Sequence, residues 1–171
     1  MDRPDASEFA PYYNTYVSLI ENKDVLDVLD AQPQKIRSLF GKIPEERGNF
    51  AYSEGKWTIK ELLSHVIDGE RIFAYRVLRI SRGDQTPIEG FEQDDYIELS
   101  NAANRRIAEM IEEFELQRRS NMLMLRSLPA AAHVRLGWAS GHQVSVRALT
   151  YIMAGHVIHH LNILRDRYLP R

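Results

Sequence analysis

The stretch from Ser145 to Leu164 reads SVRALTYIMAGHVIHHLNIL, and most of its side chains are apolar. Ser145 can cap the N-terminus of a helix, and the apolar side chains that follow would cover most of the helix circumference. A surface helix carries one apolar stripe, so a helix that is apolar nearly all round is expected inside a protein. The sequence therefore predicts a buried helix over residues 145–168, around which the rest of the chain packs.

Three further segments space their apolar side chains three and four residues apart. They predict long helices at 24–42, 58–82 and 101–128. Thr58 and Glu61 form a capping box at the start of the second of these helices, and Pro33 is expected to kink or split the first. Residues 130–143 are expected to be a loop. With no persuasive strand, the pattern predicts an all-α fold, a four-helix bundle with short additional helices, in one domain over residues 1–171.

The composition excludes several classes of protein. The 171 residues are 44% apolar and 27% charged, which suits a globular chain, and the absence of Cys excludes thiol nucleophiles, cysteine-bound metals and disulfides. The net charge is −2, and the arginine clusters around Arg76 and Arg118 are expected on solvated helix faces rather than on nucleic acid. The polar N-terminus and the lack of an apolar run of roughly 20 residues predict a cytoplasmic protein that spans no membrane.

Histidines are the residues in this sequence that most clearly suggest chemistry. His156 and His160 lie one helical turn apart on the apolar face of the last helix, at the spacing that helical zinc sites use. His65 lies among apolar residues of the second long helix and can supply a third imidazole. The residues alone leave two interpretations open: the three imidazoles bind one metal ion, or they are core histidines bonded to backbone and carboxylate oxygens.

Three parts of the chain carry a resemblance to a known family. They are YSEGKWTIKELLSH at 52–65, GFEQDDY at 90–96, and SVRAL with AGHVIHHLNIL at 145–149 and 154–164. In these stretches the chain resembles the DinB-like, or YfiT-like, superfamily of metal-binding four-helix bundles. The family pattern has one His on the second helix and His-x3-His on the fourth. The resemblance implies that His65, His156 and His160 bind zinc or nickel with water, and it gives His159 no ligand role.

An ion held by three neutral imidazoles keeps open positions and lowers the pKa of bound water or thiol. The resemblance implies relatives that are thiol transferases, a thiol-dependent isomerase and metal-dependent hydrolases, and it also implies a homodimer. We therefore expect a divalent-metal-dependent enzyme, S-transferase-like or hydrolase-like, acting on a small molecule, with a low-molecular-weight thiol as one candidate cosubstrate. Two alternatives stay open: a non-catalytic metal-stabilised bundle that binds a small ligand or a protein, and a bundle without metal.

Further site residues follow from their positions. Asp68 lies three residues after His65, so its carboxylate is a candidate general acid or base, or a group that orients an imidazole N–H. Asp94, Asp95 and Tyr96 are alternative acid–base candidates in a loop that could close over the bundle end, where Tyr96 is also a candidate for binding substrate; the other interpretation is that they cap the next helix. Arg147 is a candidate for binding an anionic substrate group, or it pairs with a carboxylate. Packing or surface positions are expected for Trp57, His133 and His142.

Overall fold

The structure is a computed structural model and describes residues 1–21 and 23–169. Its helices are α1 (Asn14–Val17), α2 (Val25–Phe40), α3 (Ile59–Ser81), α4 (Gln93–Glu98), α5 (Ile107–Ser127), α6 (Ala130–His133) and α7 (Val146–Ile163). Helix α3 packs on α5 and α7, and α2 packs on the same two helices. This arrangement confirms the predicted all-α four-helix bundle. Asn22 and residues 170–171 of the predicted domain lie outside the described residues.

Local chemistry sets where the long helices begin. Glu61 N–H donates to Thr58 Oγ1 at 3.2 Å while Thr58 N–H donates to Glu61 Oε2 at 2.7 Å, so the capping box at the start of α3 is formed. Ser145 Oγ accepts the Ala148 N–H at 3.0 Å and caps α7. Among the described residues, no helix combines the length and the apolar character that crossing a membrane requires.

Two predicted helices are too long. Residues 101–106 do not belong to α5, because Asn101 has a φ of 55° and a 3₁₀ turn, Ala102–Asn104, comes before the helix. Helix α7 ends at Ile163, and a π-helical turn, Leu164–Tyr168, replaces its predicted last turn. That turn brings the Tyr168 hydroxyl to the Trp57 carbonyl, to which it donates at 2.6 Å.

Helix α2 continues through Pro33, so the helix is not split. Proline has no N–H, and the Leu29 carbonyl four residues earlier therefore loses its donor within the helix. Arg118 Nη1 on α5 donates to that carbonyl at 2.8 Å. A side chain from a neighbouring helix thus satisfies the backbone group that the proline leaves without a partner.

A buried polar layer divides the core into two apolar clusters. Along the four long helices, Gln32, Glu70, Arg118 and His156 fall between the members of one cluster and those of the other. Arg118 donates to both Glu70 oxygens, at 2.8 and 2.6 Å, and to Gln32 Oε1 at 2.6 Å. The expectation that this arginine lies on a solvated face is wrong, because Arg118 is 1% exposed and Glu70 balances its charge.

Residues 136–145 form a β-hairpin where a loop is predicted, and that prediction is wrong. Strands β1 (Leu136–Ala139) and β2 (His142–Ser145) pair in antiparallel register. Ser140 and Gly141 between them have φ values of 52° and 78°, as a two-residue type I′ turn requires. Ile88 pairs with the edge of β1, since its N–H donates to the Trp138 carbonyl at 2.9 Å. The segment after α3 is thereby held beside the hairpin turn.

Candidate metal centre

Three imidazoles meet inside the bundle. Helix α3 carries His65, and α7 carries His156 and His160 one turn apart. His156 Nε2 lies 2.9 Å from His65 Nε2 and 3.1 Å from His160 Nε2. All three side chains are buried. The sequence pattern and the helix packing therefore bring the three residues to one point with the same ring nitrogen directed towards it.

This donor set fits one divalent cation. Three nitrogens that each bind one zinc ion at about 2.0–2.1 Å must lie within about 4.2 Å of one another. The two short separations at His156 meet that condition, and the three ligand atoms all lie within 4.8 Å of one another. Hydrogen bonding alone satisfies the group poorly, because the Nε2 of a neutral imidazole either donates or accepts, whereas His156 Nε2 faces two such neighbours. One cation can accept all three lone pairs.

Burial keeps the imidazoles neutral. It lowers the pKa of His65 to about 4, and the nearby Asp94 carboxylate opposes this shift only in part. Burial also lowers the pKa of His156 and of His160 well below the ordinary value, with a smaller contribution from the other histidines. Metal ligation requires unprotonated imidazole, so the three lone pairs are present at neutral pH.

Two glycines make room for the His156 ring and its neighbours. A Cβ on Gly69 of α3 would lie 2.7 Å from His156 Cε1, so only glycine leaves space for the imidazole there. A Cβ on Gly155 would clash with the Tyr16 carbonyl, so glycine also allows α1 to approach α7 closely. The Tyr16 and Phe73 rings then pack against His156, each with centroids 5.4 Å apart.

Two cavities flank the three imidazoles. The first, the His160 cavity, has a volume of about 340 Å³, and its lining includes Tyr12, Tyr16, Trp57, Asp94, His159 and His160. The second, the His156 cavity, has a volume of about 540 Å³, and its lining includes Tyr16, His65, Phe73, Arg76, Asp94 and His156. Tyr16 and Asp94 belong to both linings. A small molecule in either cavity would therefore lie against the imidazole group.

Three residues singled out from the sequence lie elsewhere. Asp68 is half-buried, its pKa is raised by burial, and it forms an ion pair with Arg71 at 3.5 Å. Tyr96 packs against Phe91 with ring centroids 5.0 Å apart. Arg147 Nε donates to Glu8 Oε2 at 2.8 Å. In the part of the chain that the structure describes, none of Asp68, Tyr96 and Arg147 lines either cavity.

Asp94, an alternative acid–base candidate from the sequence, does reach the site, together with aromatic residues. Asp94 Oδ1 accepts the Trp57 Nε1–H at 3.1 Å, and the Trp57 ring lies 4.7 Å from the His65 ring between centroids. The Tyr16 hydroxyl lies 3.3 Å from the Tyr12 hydroxyl. Sequence reasoning did not assign either tyrosine to the site, although their four-residue spacing was a signal that they share a helix face. His159 is half-buried beside His160, while His142 is exposed.

Comparison with known proteins places the chain in a family. The model of the DinB superfamily matches residues 29–164, a range that contains the three histidines. The fold is similar to that of YfiT from Bacillus subtilis, described as a probable metal-dependent hydrolase with an unusual four-helix bundle topology. The TM-score is 0.75 and the identity 16%, over 90% of this chain and 97% of that one.

The fold is also similar to that of a mycothiol-dependent maleylpyruvate isomerase. The TM-score is 0.67 and the identity 14%. The match covers 84% of this chain but only 61% of the isomerase chain. No curated protein sequence matches the chain. At these identities the two solved structures show the fold alone. Since the family model covers most of its length, the chain belongs to the DinB superfamily.

Proposed function

We propose that this protein is a divalent-metal-dependent enzyme in which His65, His156 and His160 hold one zinc or nickel ion. The convergence of three buried Nε2 atoms carries this proposal. Nitrogen donors suit both metals, and three protein ligands leave positions for water or substrate. The description of YfiT as a probable metal-dependent hydrolase is consistent with such a centre.

The reaction is the attack of an activated nucleophile on a small molecule. When bound, the ion lowers the pKa of water or of a thiol, which provides hydroxide for hydrolysis or thiolate for S-transfer. The chain has no Cys, so a thiol would have to arrive as a low-molecular-weight cosubstrate. The thiol dependence in the name of the isomerase supports S-transfer, and the description of YfiT supports hydrolysis.

Asp94 is the candidate proton acceptor. It lines both cavities, and Trp57 Nε1–H holds its Oδ1, which leaves Oδ2 to take a proton from the nucleophile or to return it to a leaving group. The Tyr16 hydroxyl can donate to substrate in either cavity. These roles replace the one expected for Asp68, whose carboxylate pairs with Arg71.

The two cavities favour an enzyme over a non-catalytic metal-stabilised bundle. A purely structural metal site has four protein ligands and needs no space beside the ion. Here three imidazoles converge, and cavities of about 340 and 540 Å³ adjoin them. The protein therefore offers both open ligand positions and room for a substrate.

An activity screen tests the proposal. Protein loaded with zinc or with nickel is offered aryl esters and amides in one arm, and a low-molecular-weight thiol with an electrophilic aryl halide in the other. We expect metal-dependent turnover in one arm, lost in His156→Ala and kept in the control His142→Ala, whose side chain is exposed and lines neither cavity. Turnover that survives both His156→Ala and metal removal, or no turnover in either arm, would contradict the proposal.

A further inference from the structure

Arg76 on α3 is a buried cation for which the proposed chemistry has no use. The residue is 2% exposed, which contradicts the expectation that its arginine cluster lies on a solvated face. In the part of the chain that the structure describes, its hydrogen bonds come from Nη2, to Ser140 Oγ at 2.8 Å and to the Glu89 carbonyl at 3.3 Å. No carboxylate among those residues forms an ion pair with it, in contrast to Arg118, which is paired with Glu70.

The Arg76 guanidinium has unused donors that are shielded from water. Its Nε is buried and has no hydrogen-bond partner. A buried guanidinium without a counter-charge is costly, and a buried donor without a partner requires an explanation. The two acceptors that it does contact are neutral oxygens and leave the charge unbalanced. The group is therefore incomplete without an anion.

Arg76 lines the His156 cavity, in which its missing partner can bind. One aromatic ring separates it from the metal centre: Arg76 Cζ lies 6.0 Å from the Phe73 ring centroid, and that ring lies 5.4 Å from the His156 ring. The same cavity also has Tyr13, Tyr16 and Phe91 in its lining. The aromatic walls suit a small aromatic or apolar body and Arg76 suits one anionic end of it, while the Glu92 and Asp94 carboxylates line the cavity as well.

The hairpin turn holds Arg76 in place. Ser140, which accepts from Nη2, lies at the positive-φ turn between β1 and β2, and its N–H donates to the Ile88 carbonyl at 2.9 Å. Gly90 packs on the same serine, since a Cβ there would lie 3.5 Å from Ser140 Oγ. With Nη2 fixed by these contacts, the guanidinium is preorganised to bind an oxyanion.

We propose that the His156 cavity binds a small molecule through an oxyanion, a carboxylate or a phosphate group, that pairs with Arg76 while its apolar body lies along Phe73 towards the metal centre. The proposal rests on the proposed function and names its substrate class: small aromatic or apolar molecules with one anionic end. In this proposal Arg76 has the anion-binding role that was expected for Arg147. The Arg147 guanidinium is already paired with the Glu8 carboxylate.

Calorimetric titration with three matched probes tests this site. Benzoate and phenylphosphonate share an aromatic ring and differ in their oxyanion, and benzamide is the neutral analogue of benzoate. We expect the wild-type protein to bind at least one anion, and benzamide at least about tenfold more weakly than that anion, as for loss of a charge-assisted pair. If benzoate binds more tightly, the natural group is a carboxylate; if phenylphosphonate binds more tightly, it is a phosphate. Equal affinity for benzoate and benzamide, or binding of no probe, would overturn the proposal.

Variants of Arg76 assign the effect to this residue. Arg76→Met and Arg76→Gln are both expected to lose about tenfold or more in anion affinity, and Gln keeps a donor for the Glu89 carbonyl if Met destabilises the fold. Arg79→Met is the matched control, because Arg79 lies on the same helix and pairs with Asp84 outside the cavity. Wild-type anion affinity in a folded Arg76 variant would overturn the proposal.

Metal content separates this proposal from the proposed function. Each titration is made on zinc-loaded protein and on chelated protein, and bound zinc is measured in both. Anion binding that depends on Arg76 in a protein that takes up no zinc would contradict the proposed function and support the anion site. Zinc uptake with anion binding that is independent of Arg76 would contradict the anion site alone.

Discussion

His156 is the most constrained of the three imidazoles. Its Nε2 faces both other histidines, and its ring lies between Gly69 on one side and the Tyr16 and Phe73 rings on others. Packing on several sides leaves the ring few alternative rotamers, and fixed ligands lose less entropy when a metal binds. The geometry of the centre therefore depends on small neighbours as much as on the ligands themselves.

Gly69→Ala tests this dependence. The new Cβ would lie 2.7 Å from His156 Cε1, so the imidazole must move, at a cost of about 1–3 kcal/mol in stability. We expect zinc affinity to fall by about tenfold to a hundredfold, as when the support of a ligand is lost. Zinc titration of folded protein gives the measurement. Unchanged zinc affinity would show that His156 does not need its present position.

Asp94→Asn tests the proton acceptor. Amide replaces carboxylate with nearly the same shape, so zinc content should stay at the wild-type level while turnover falls about 10²–10⁴-fold. Trp57→Phe removes the N–H that holds Oδ1, together with part of the ring that packs on His65, and should give a smaller loss than Asp94→Asn. Asp68→Asn is the matched control and should keep activity, since Asp68 pairs with Arg71. The opposite order, with Asp68→Asn inactive, would return the role to Asp68.

At the residue scale the sequence indicated His65, His156 and His160 through spacing and an apolar context. The prediction that Arg76 and Arg118 are exposed was wrong, because a charged side chain usually lies in solvent. Their buried partners, Ser140 for Arg76 and Glu70 for Arg118, are distant in sequence and could not be inferred from it. Tyr16 and Asp94 approach the histidines only through tertiary packing of short helices. Such contacts carry no periodic signal along the chain.

Among the helices, α2 and α5 depend on each other at Pro33. The proline removes the donor for the Leu29 carbonyl, and Arg118 replaces it while pairing with Glu70. The same guanidinium therefore donates to a free backbone carbonyl of α2 and balances the charge of a carboxylate on α3. Gln32 extends the layer to α7 by donating to the Ala154 carbonyl at 2.7 Å, close to His156.

A double-mutant cycle tests this coupling. Arg118→Met should cost about 3–5 kcal/mol, because it leaves Glu70 unpaired. In a Pro33→Ala background, the new N–H can bond to the Leu29 carbonyl, so the same substitution should cost about 0.5–3 kcal/mol less. Urea denaturation of the four proteins gives the comparison. Strictly additive changes in the free energy of unfolding would contradict the coupling.

For the whole molecule, the apolar patterns of four long segments were sufficient to predict a bundle, and the pattern of residues 145–164 predicted its buried helix. The hairpin at 136–145 was not predictable in the same way, since four residues per strand give little alternation and its pairing with Ile88 is non-local. The end of α7 was also missed, since the π-turn there accompanies a hydrogen bond from Tyr168 to Trp57, a residue distant in sequence. Long-range contacts account for these differences.

Stability of the metal-free molecule should depend on pH through its buried histidines. The folded pKa of His65 is about 4, below the ordinary value of 6.5, so between these values the unfolded chain binds more protons. Stability is then complete above about pH 6.5 and falls as the pH drops towards 4, by about 2 kcal/mol at pH 5 from His65 alone.

Urea denaturation at pH 7 and pH 5 in chelator measures this dependence. In His65→Gln, the loss of stability between pH 7 and pH 5 should be smaller than in the wild type by about 2 kcal/mol. His142→Gln, at an exposed position, should show the same loss as the wild type. Equal pH dependence in wild type and His65→Gln would contradict the burial of a neutral His65.

Metal stoichiometry tests the central claim most directly. Protein prepared without a nickel column is loaded with zinc, dialysed and examined by elemental analysis, beside His156→Ala and the control His159→Ala. We predict one equivalent of zinc in the wild type and in His159→Ala, and none in His156→Ala. One retained equivalent in folded His156→Ala, or none in the wild type, would contradict a metal centre at the point where the three imidazoles meet.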